Sequence, residues 1–202
     1  MIPYQNSLGI EIREDAVVLV HLRRTLSETR IQNSIVIPFS FPLAPEAEAE
    51  FVDSLKRFIR NMRVRPERTV VGLPRKSAVL KFIEIPSLNK ETIPQLLEYE
   101  IERHLPFNPE EVYYDFDVIE KTGENIYRVL ITAVKKDMID YLKDLLERVP
   151  LKPKIFDLST FGIINALKLG NGFSDNKIDT LIFMGQRDIE LGMLQGGVLK
   201  YS

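Results

Sequence analysis

Two apolar runs, residues 8–12 and 16–22, are separated by the charged triplet Arg13, Glu14 and Asp15. That spacing predicts a strand, a tight turn and a second strand. The β-branched string "RIQNSIVIPFSF" predicts a third. The period then lengthens: in "APEAEAEFVDSLKRFIRNMR", Phe51, Leu55, Phe58 and Ile59 fall on one face of a helix. Its acids (Glu46, Glu48, Glu50, Asp53) come early and its bases (Lys56, Arg57, Arg60, Arg63) late, which complements the helix dipole. "TVVGLP" reads as a short buried strand. Three strands, a crossover helix and a further strand make half of a nucleotide-fold sheet.

The pattern changes at "SAVLKFIEIPS", a strand that stops at Pro86. A helix follows in "TIPQLLEYEIERHLPF", with Thr92 and Gln95 spaced as a capping box, Pro94 in the first turn, and Leu96, Leu97, Ile101 and Leu105 as its apolar stripe. Pro106 and Pro109 end it. "EVYYDFDVIEK" and "NIYRVLITAVKK" alternate as strands, joined by "TGEN", where Gly123 is available for positive φ. Residues 79–134 are thus expected to form a helix on a three-stranded antiparallel sheet, inserted in the larger fold. Beyond it come a helix in "DMIDYLKDLLERV", a strand in "KPKIFDLST", a short helix closed by Gly170, the loop "GNGFSDNK" and a hairpin in "IDTLIFMGQ" and "DIELGMLQGG". The last letters read as a Gly-Gly turn opening another strand, so the chain is expected to be truncated.

Apolar content of 45%, charged content of 28% and a formal net charge of -2 describe an ordinary globular chain and give no pointer to nucleic acid. The lack of cysteine excludes disulfides, iron–sulfur clusters and thiolate zinc sites, and fits a reducing, cytoplasmic setting. No window approaches the ~18–20 apolar residues of a membrane-spanning helix, and "MIPYQNSLG" lacks a signal-peptide pattern. The two histidines, His21 and His104, are not at metal-ligand spacing, and Asp115 and Asp117 alternate with Tyr114 and Phe116, so they share a solvated strand face. No nucleophile-elbow, Walker or dinucleotide motif appears. No catalytic residue, metal or cofactor is expected.

Two stretches remain. The basic run "KRFIRNMRVRPER" reads as a solvated helix end or as a contact for anionic lipid or an acidic partner. "HLPFNPEEVYY" brings Leu105, Pro106, Phe107, Tyr113 and Tyr114 to the junction of the inserted unit, where they serve either a partner site or the core.

The segment "LLEYEIERHLPFNPEEVYYDFDVIE", after "VVGLP" and "IEIPSL" and before "ITAVKKDMIDYL", resembles the PilM proteins of type IV pilus assembly. In layout it is also similar to the cytoplasmic part of the GspL proteins of type II secretion. The resemblance covers essentially the whole chain, and the helix followed by "LPF", a second proline and a strand is its most specific part. It implies an actin-like (ribonuclease H-like) α/β fold related to FtsA: a first subdomain in residues 1–77, the inserted unit and its following helix in 78–148, and in 149–202 a return to the first subdomain and the start of a second.

PilM-like proteins open with a strand ending in Asp-Ile-Gly, then small hydroxyl residues, then a lysine. Here Glu11 stands at the aspartate, Arg13 at the glycine, Glu14, Asp15 and Ala16 at the hydroxyls, and Val18 near the lysine. The second phosphate loop of the family repeats Asp-Ile-Gly, whereas "FMGQRD" has Phe183 at the aspartate and keeps only Gly185. Two carboxylates about 4 Å from a triphosphate would each be repelled by about 1 kcal/mol even in water. The resemblance therefore implies a non-catalytic cytoplasmic scaffold with a degenerate nucleotide site, peripheral to the inner membrane through a partner or a further C-terminal segment. Its partner would be the cytoplasmic tail of a single-pass inner-membrane protein, or a secretion or pilus ATPase, and a homodimer is compatible with it. The alternative is a nucleotide-dependent actin-like ATPase.

Overall fold

The computed structural model describes residues 5–62, 65–170, 172–174, 177–185 and 189–202. The opening charged triplet is a turn: β1 (Gln5–Ile12) and β2 (Ala16–Arg24) pair antiparallel around it, and β3 (Thr29–Pro38) pairs antiparallel with β2. α1 (Pro45–Met62) then crosses over, so that β4 (Arg68–Leu73) returns parallel to β1. After α3 (Lys136–Glu147), β8 (Ile155–Leu158) adds parallel to β4, and the sheet order is β3-β2-β1-β4-β8, with elements numbered along the whole chain.

Alternate residues of these strands close the core. Leu8, Ile10 and Ile12 of β1 and Val17 and Leu19 of β2 are essentially fully buried, as are Phe51 and Leu55 of α1. Phe51 is met edge-on by Phe39 and Phe41, with ring centroids 5.3 and 5.7 Å away. Burial of such a ring contributes about 2–3 kcal/mol, and edge-on aromatic pairs add to it. Glu48 of α1 accepts hydrogen bonds from the Tyr141 hydroxyl of α3 and from Arg148, tying together stretches 93 and 100 residues apart. These elements form one compact unit, Met1–Pro74 with Met138–Gly162.

The second unit comprises Arg75–Asp137 and Ile163–Ser202. β5 (Ala78–Pro86), β6 (Val112–Gly123) and β7 (Ile126–Lys135) form an all-antiparallel sheet ordered β5-β7-β6. α2 (Ile93–His104) buries Ile93, Leu97 and Ile101 in a core shared with Ile83, Ile85, Val112, Val129 and Ile131. This is the helix-on-three-strands arrangement expected from the alternation. The boundaries differ from the sequence-based ones in that α3 goes with the first unit from Met138 onward and residues from Ile163 onward group with the inserted unit.

Two local expectations are corrected. Thr92 occupies the N-cap of α2, but its side chain makes no capping bond. Its hydroxyl is drawn instead to Ser87 Oγ and the Asn89 carbonyl, while Asn89 Oδ1 accepts the Thr92 N–H and caps a preceding 3-10 turn. Gly123 ends β6 and is not among the positive-φ glycines; the turn falls on Glu124 and Asn125.

α4 (Ser159–Leu169) leads from the first unit into the second, where β9 (Ile178–Met184), β10 (Ile189–Gln195) and β11 (Val198–Tyr201) form a meander. Gly196 and Gly197, at φ 55° and 72°, make its last turn, a conformation that other residues resist. Leu194 and Leu199 are buried, whereas Ile178, Ile182, Met184, Ile189, Leu191 and Met193 are exposed. β11 is fastened to the inserted sheet by Arg128 of β7. The guanidinium carbon lies 4.8 Å from the Phe82 ring centroid and 4.6 Å from that of Tyr201, and Nη2 donates to the Lys200 carbonyl at 2.9 Å. Lys200 in turn pairs with Glu120 at 2.6 Å.

Candidate functional site

The opening hairpin is held together by its own charged and backbone groups. Glu11, the penultimate residue of β1, forms an ion pair at 2.7 Å with Arg13 across the start of the turn. The Arg13 N–H donates to the Ala16 carbonyl at 2.9 Å, which closes the hairpin and spends the first amide of the turn. The carbonyls of Asp15 and Glu14 accept from the N–H groups of Phe39 and Phe41, so the turn is anchored to the segment after β3. A phosphate cradle needs several converging, unspent N–H groups and a backbone that can come close. The side chains of this turn are a guanidinium paired to a carboxylate and the further carboxylates of Glu14 and Asp15. Of the second loop, Phe183 ends up within β9 and Gly185 just after it, while Gln186, Arg187 and Asp188 lie outside the described residues.

One feature near Glu11 was not legible in the sequence. A Cβ on Gly72 of β4 would lie 3.2 Å from Ser159 Oγ and 3.7 Å from Glu11 Cα, so the glycine allows β1, β4 and the start of α4 to converge. The Ser159 hydroxyl is buried and has no hydrogen-bond partner among the described residues. Its only sequence signal is a serine directly after a short strand.

The aromatic stretch is positioned by the end of α2. Leu105 takes an extended conformation as its N–H donates to the Ile101 carbonyl, and Pro106 prevents a further turn. Asn108 Oδ1 then accepts the Glu110 N–H, shaping the 3-10 turn that feeds β6. Leu105 is buried and belongs to the core, and Phe107 packs half-buried against it. Pro106, Tyr113 and Tyr114 are exposed. Consecutive on a strand, Tyr113 and Tyr114 point to opposite faces. The rings are flanked by cations: Lys135 Nζ stands 5.2 Å from the Phe107 centroid and Lys136 Nζ 5.5 Å from that of Tyr113. The structure thus gathers Pro106 and Phe107 at the mouth of β6, puts the tyrosines on its two faces, and gives Leu105 to the interior.

The other candidates fall into structural roles. His21 is buried with Nε2 3.2 Å from Asn6 Oδ1, and burial pushes its pKa down, toward a neutral ring. His104 offers its carbonyl to Lys81 Nζ at 2.9 Å. Asp115 and Asp117 are exposed on β6, as their alternation predicts. In the basic run Arg57 donates to Ser54 Oγ, Arg60, Arg65 and Arg68 are exposed, and Arg63 and Val64 lie outside the described residues. No group of three or more acidic, histidine or cysteine side chains able to hold a metal occurs among the described residues, and no helix there is long and apolar enough to cross a membrane.

Comparison with known proteins places these features in context. The family model described as type IV pilus assembly protein PilM matches residues 9–200. Among solved structures, a PilM-PilN type IV pilus biogenesis complex matches with a TM-score of 0.82 at 21% identity, covering 98% of this chain and 61% of that one. The cytoplasmic domain of EpsL, an inner-membrane component of the type II secretion system of Vibrio cholerae, matches with a TM-score of 0.59 at 15% identity, over 94% of this chain and 68% of that one. A Ppx/GppA protein of Aquifex aeolicus matches with a TM-score of 0.52 at 12% identity, over 98% of this chain and half of that one. At these identities the likeness is one of fold, and it is the actin-like α/β fold. The chain spans under two thirds of the length of the PilM structure it matches.

Proposed function

Since the chain belongs to the PilM family of type IV pilus assembly proteins, we propose that it is a non-catalytic, cytoplasmic scaffold of a pilus or type II secretion inner-membrane platform, holding the cytoplasmic tail of a single-pass membrane protein through the surface around Phe107. The observation that carries this reading is the opening hairpin. Arg13 is paired to Glu11 and its N–H is spent on Ala16, while Glu14 and Asp15 would repel a triphosphate, and all of this speaks against a nucleotide there. This favours binding over hydrolysis as the use of the fold. Exposed Pro106 next to half-buried Phe107 supplies the kind of apolar, aromatic surface from which interface hot spots are made. An unstructured tail is a fitting occupant, because it wraps such a surface at modest affinity. The solved PilM-PilN complex of a fold relative supports a protein partner.

The test is calorimetric titration with two titrants. Mg-ATP should give no saturable heat at millimolar concentration, and a dissociation constant in the low micromolar range would replace the scaffold by the ATPase reading. A peptide copied from the cytoplasmic tail of the membrane protein encoded beside this chain should bind with roughly micromolar affinity, and Phe107→Ala should weaken it about fivefold or more while leaving the circular dichroism unchanged. A folded Phe107→Ala variant that binds equally well removes this surface from the proposal.

A further inference from the structure

β6 is an edge strand. In the order β5-β7-β6 it is paired on one side only, and from Val112 to Val118 its register with β7 runs unbroken, Val112↔Lys135 to Val118↔Val129. Irregularities enter only past Val118. Natural sheets blunt such edges with lysines, prolines, bulges or very short strands. The sequence "VYYDFDV" has neither lysine nor proline, and at ~3.3 Å per residue it presents a straight edge on the order of 20 Å long. One of its amides, that of Phe116, is turned to the carboxylate of Asp115 at 2.9 Å rather than left bare.

The side chains specify what could add there. One face carries Tyr114 and half-buried Phe116; the other carries Tyr113 and the exposed carboxylates of Asp115 and Asp117, two residues apart. Directly opposed charges on neighbouring strands are favourable when opposite and unfavourable when alike. A second β6 strand would bring its own aspartates to the same seam, which disfavours pairing between copies of this chain. We infer that this edge takes up an extended partner segment as a fourth strand, one in which basic residues facing Asp115 and Asp117 alternate with apolar residues continuing the Tyr114 and Phe116 face. Main-chain hydrogen bonds provide the affinity of such strand addition, and the alternating side chains its selectivity. The inference rests on the reading that the chain holds a partner's tail, and it names the chemistry of that tail.

The probes are a synthetic peptide with lysines at alternate positions among valines and leucines, and its counterpart with glutamates in place of the lysines, followed by fluorescence anisotropy. The lysine peptide should bind about tenfold more tightly or better, with new amide-exchange protection at Tyr114 and Phe116. The double substitution Asp115→Lys with Asp117→Lys lies on an exposed face, and its folding is checked by its thermal melt. It should reverse the preference toward the glutamate peptide. Equal binding of the two peptides, or a preference unchanged in the folded double variant, overturns the inference. If the natural tail binds and responds to Phe107→Ala but not to the charge reversal, strand addition is wrong while the scaffold reading stands. If no tail binds at all, both fall.

Discussion

Replacing Arg128 by alanine should loosen β11 from the inserted sheet, and the structure allows the cost to be worked out. The side chain is only 17% exposed. It loses two ring contacts, at 4.8 and 4.6 Å, each contributing from about 0.5 kcal/mol at the surface to about 2 when desolvated. It also loses a charged hydrogen bond to the Lys200 carbonyl, a class that contributes about 1.5–3 kcal/mol. Its approach to Glu120 at 3.8 Å counts for little, since Glu120 is partly exposed and keeps its closer pair with Lys200. These contributions share one side chain and do not add fully, so the expected loss is about 2–4 kcal/mol. Arg128→Lys keeps the charge but not the flat, stacking guanidinium, and should fall in between. Because the chain has two units, a single global unfolding curve is not the right assay. Amide exchange measured along β11 and β10 reads the opening locally, and a double-mutant cycle with Tyr201→Ala isolates the stacking contribution. A loss below about 0.5 kcal/mol for Arg128→Ala, or a lysine variant that matches the wild type, would refute the stacking argument.

Leu97 and Ile101 on α2 are 1% and 2% exposed, so either change to alanine should cost about 2–5 kcal/mol, read by amide exchange within α2 and the inserted sheet, and a loss under about half a kcal/mol at both would mean that the other face of the helix is inward. His21 has its pKa lowered by burial, so the unfolded chain binds the extra proton more readily; the stability it supports is present above about pH 6.5 and is lost as pH falls below that value. Opening free energies of β1 and β2, read by amide exchange from pH 8 down to about 5, should therefore decline more steeply for the wild type than for His21→Gln, and equal slopes would count against a neutral buried ring.

What could be read from the sequence was whatever depended on neighbours along the chain. The 3.6-residue spacing of Phe51, Leu55 and Phe58, and the alternation of Asp115 and Asp117 with Tyr114 and Phe116, express burial directly. So does the Gly196-Gly197 pair, which the turn conformation demands. Reading failed where one group had a choice of partners. Thr92 has the spacing of a capping box, but its hydroxyl bonds to Ser87 and the Asn89 carbonyl and makes no bond to the helix amides. Leu105 carries the composition of a surface motif, yet it belongs to the core beneath it. Arg128 was invisible as a clamp because Phe82 lies 46 residues before it and Tyr201 73 residues after, and no local pattern encodes such a meeting. At the opening hairpin the departure from a phosphate loop was plain in the letters. That Arg13 closes on Glu11 depends on the hairpin's geometry, which the letters do not carry.

The interrupted course of the first unit has a consequence for the order of events during synthesis. Its sheet is completed only by β8, whose partner β4 ends at Leu73, and the intervening 75–137 stretch belongs to another unit. At roughly 5–20 residues per second a ribosome needs about 4–16 seconds to deliver the strand that fills the open edge of β4. During that pause the inserted sheet and α2, contiguous in the chain and sharing a core of their own, have what they need to fold as they emerge. The nascent chain therefore carries a finished insert between the two pieces of an unfinished host. The exposed flank of β4, with Val70 and Val71 unpaired on that side, is then the surface that a nascent-chain chaperone would be expected to shield.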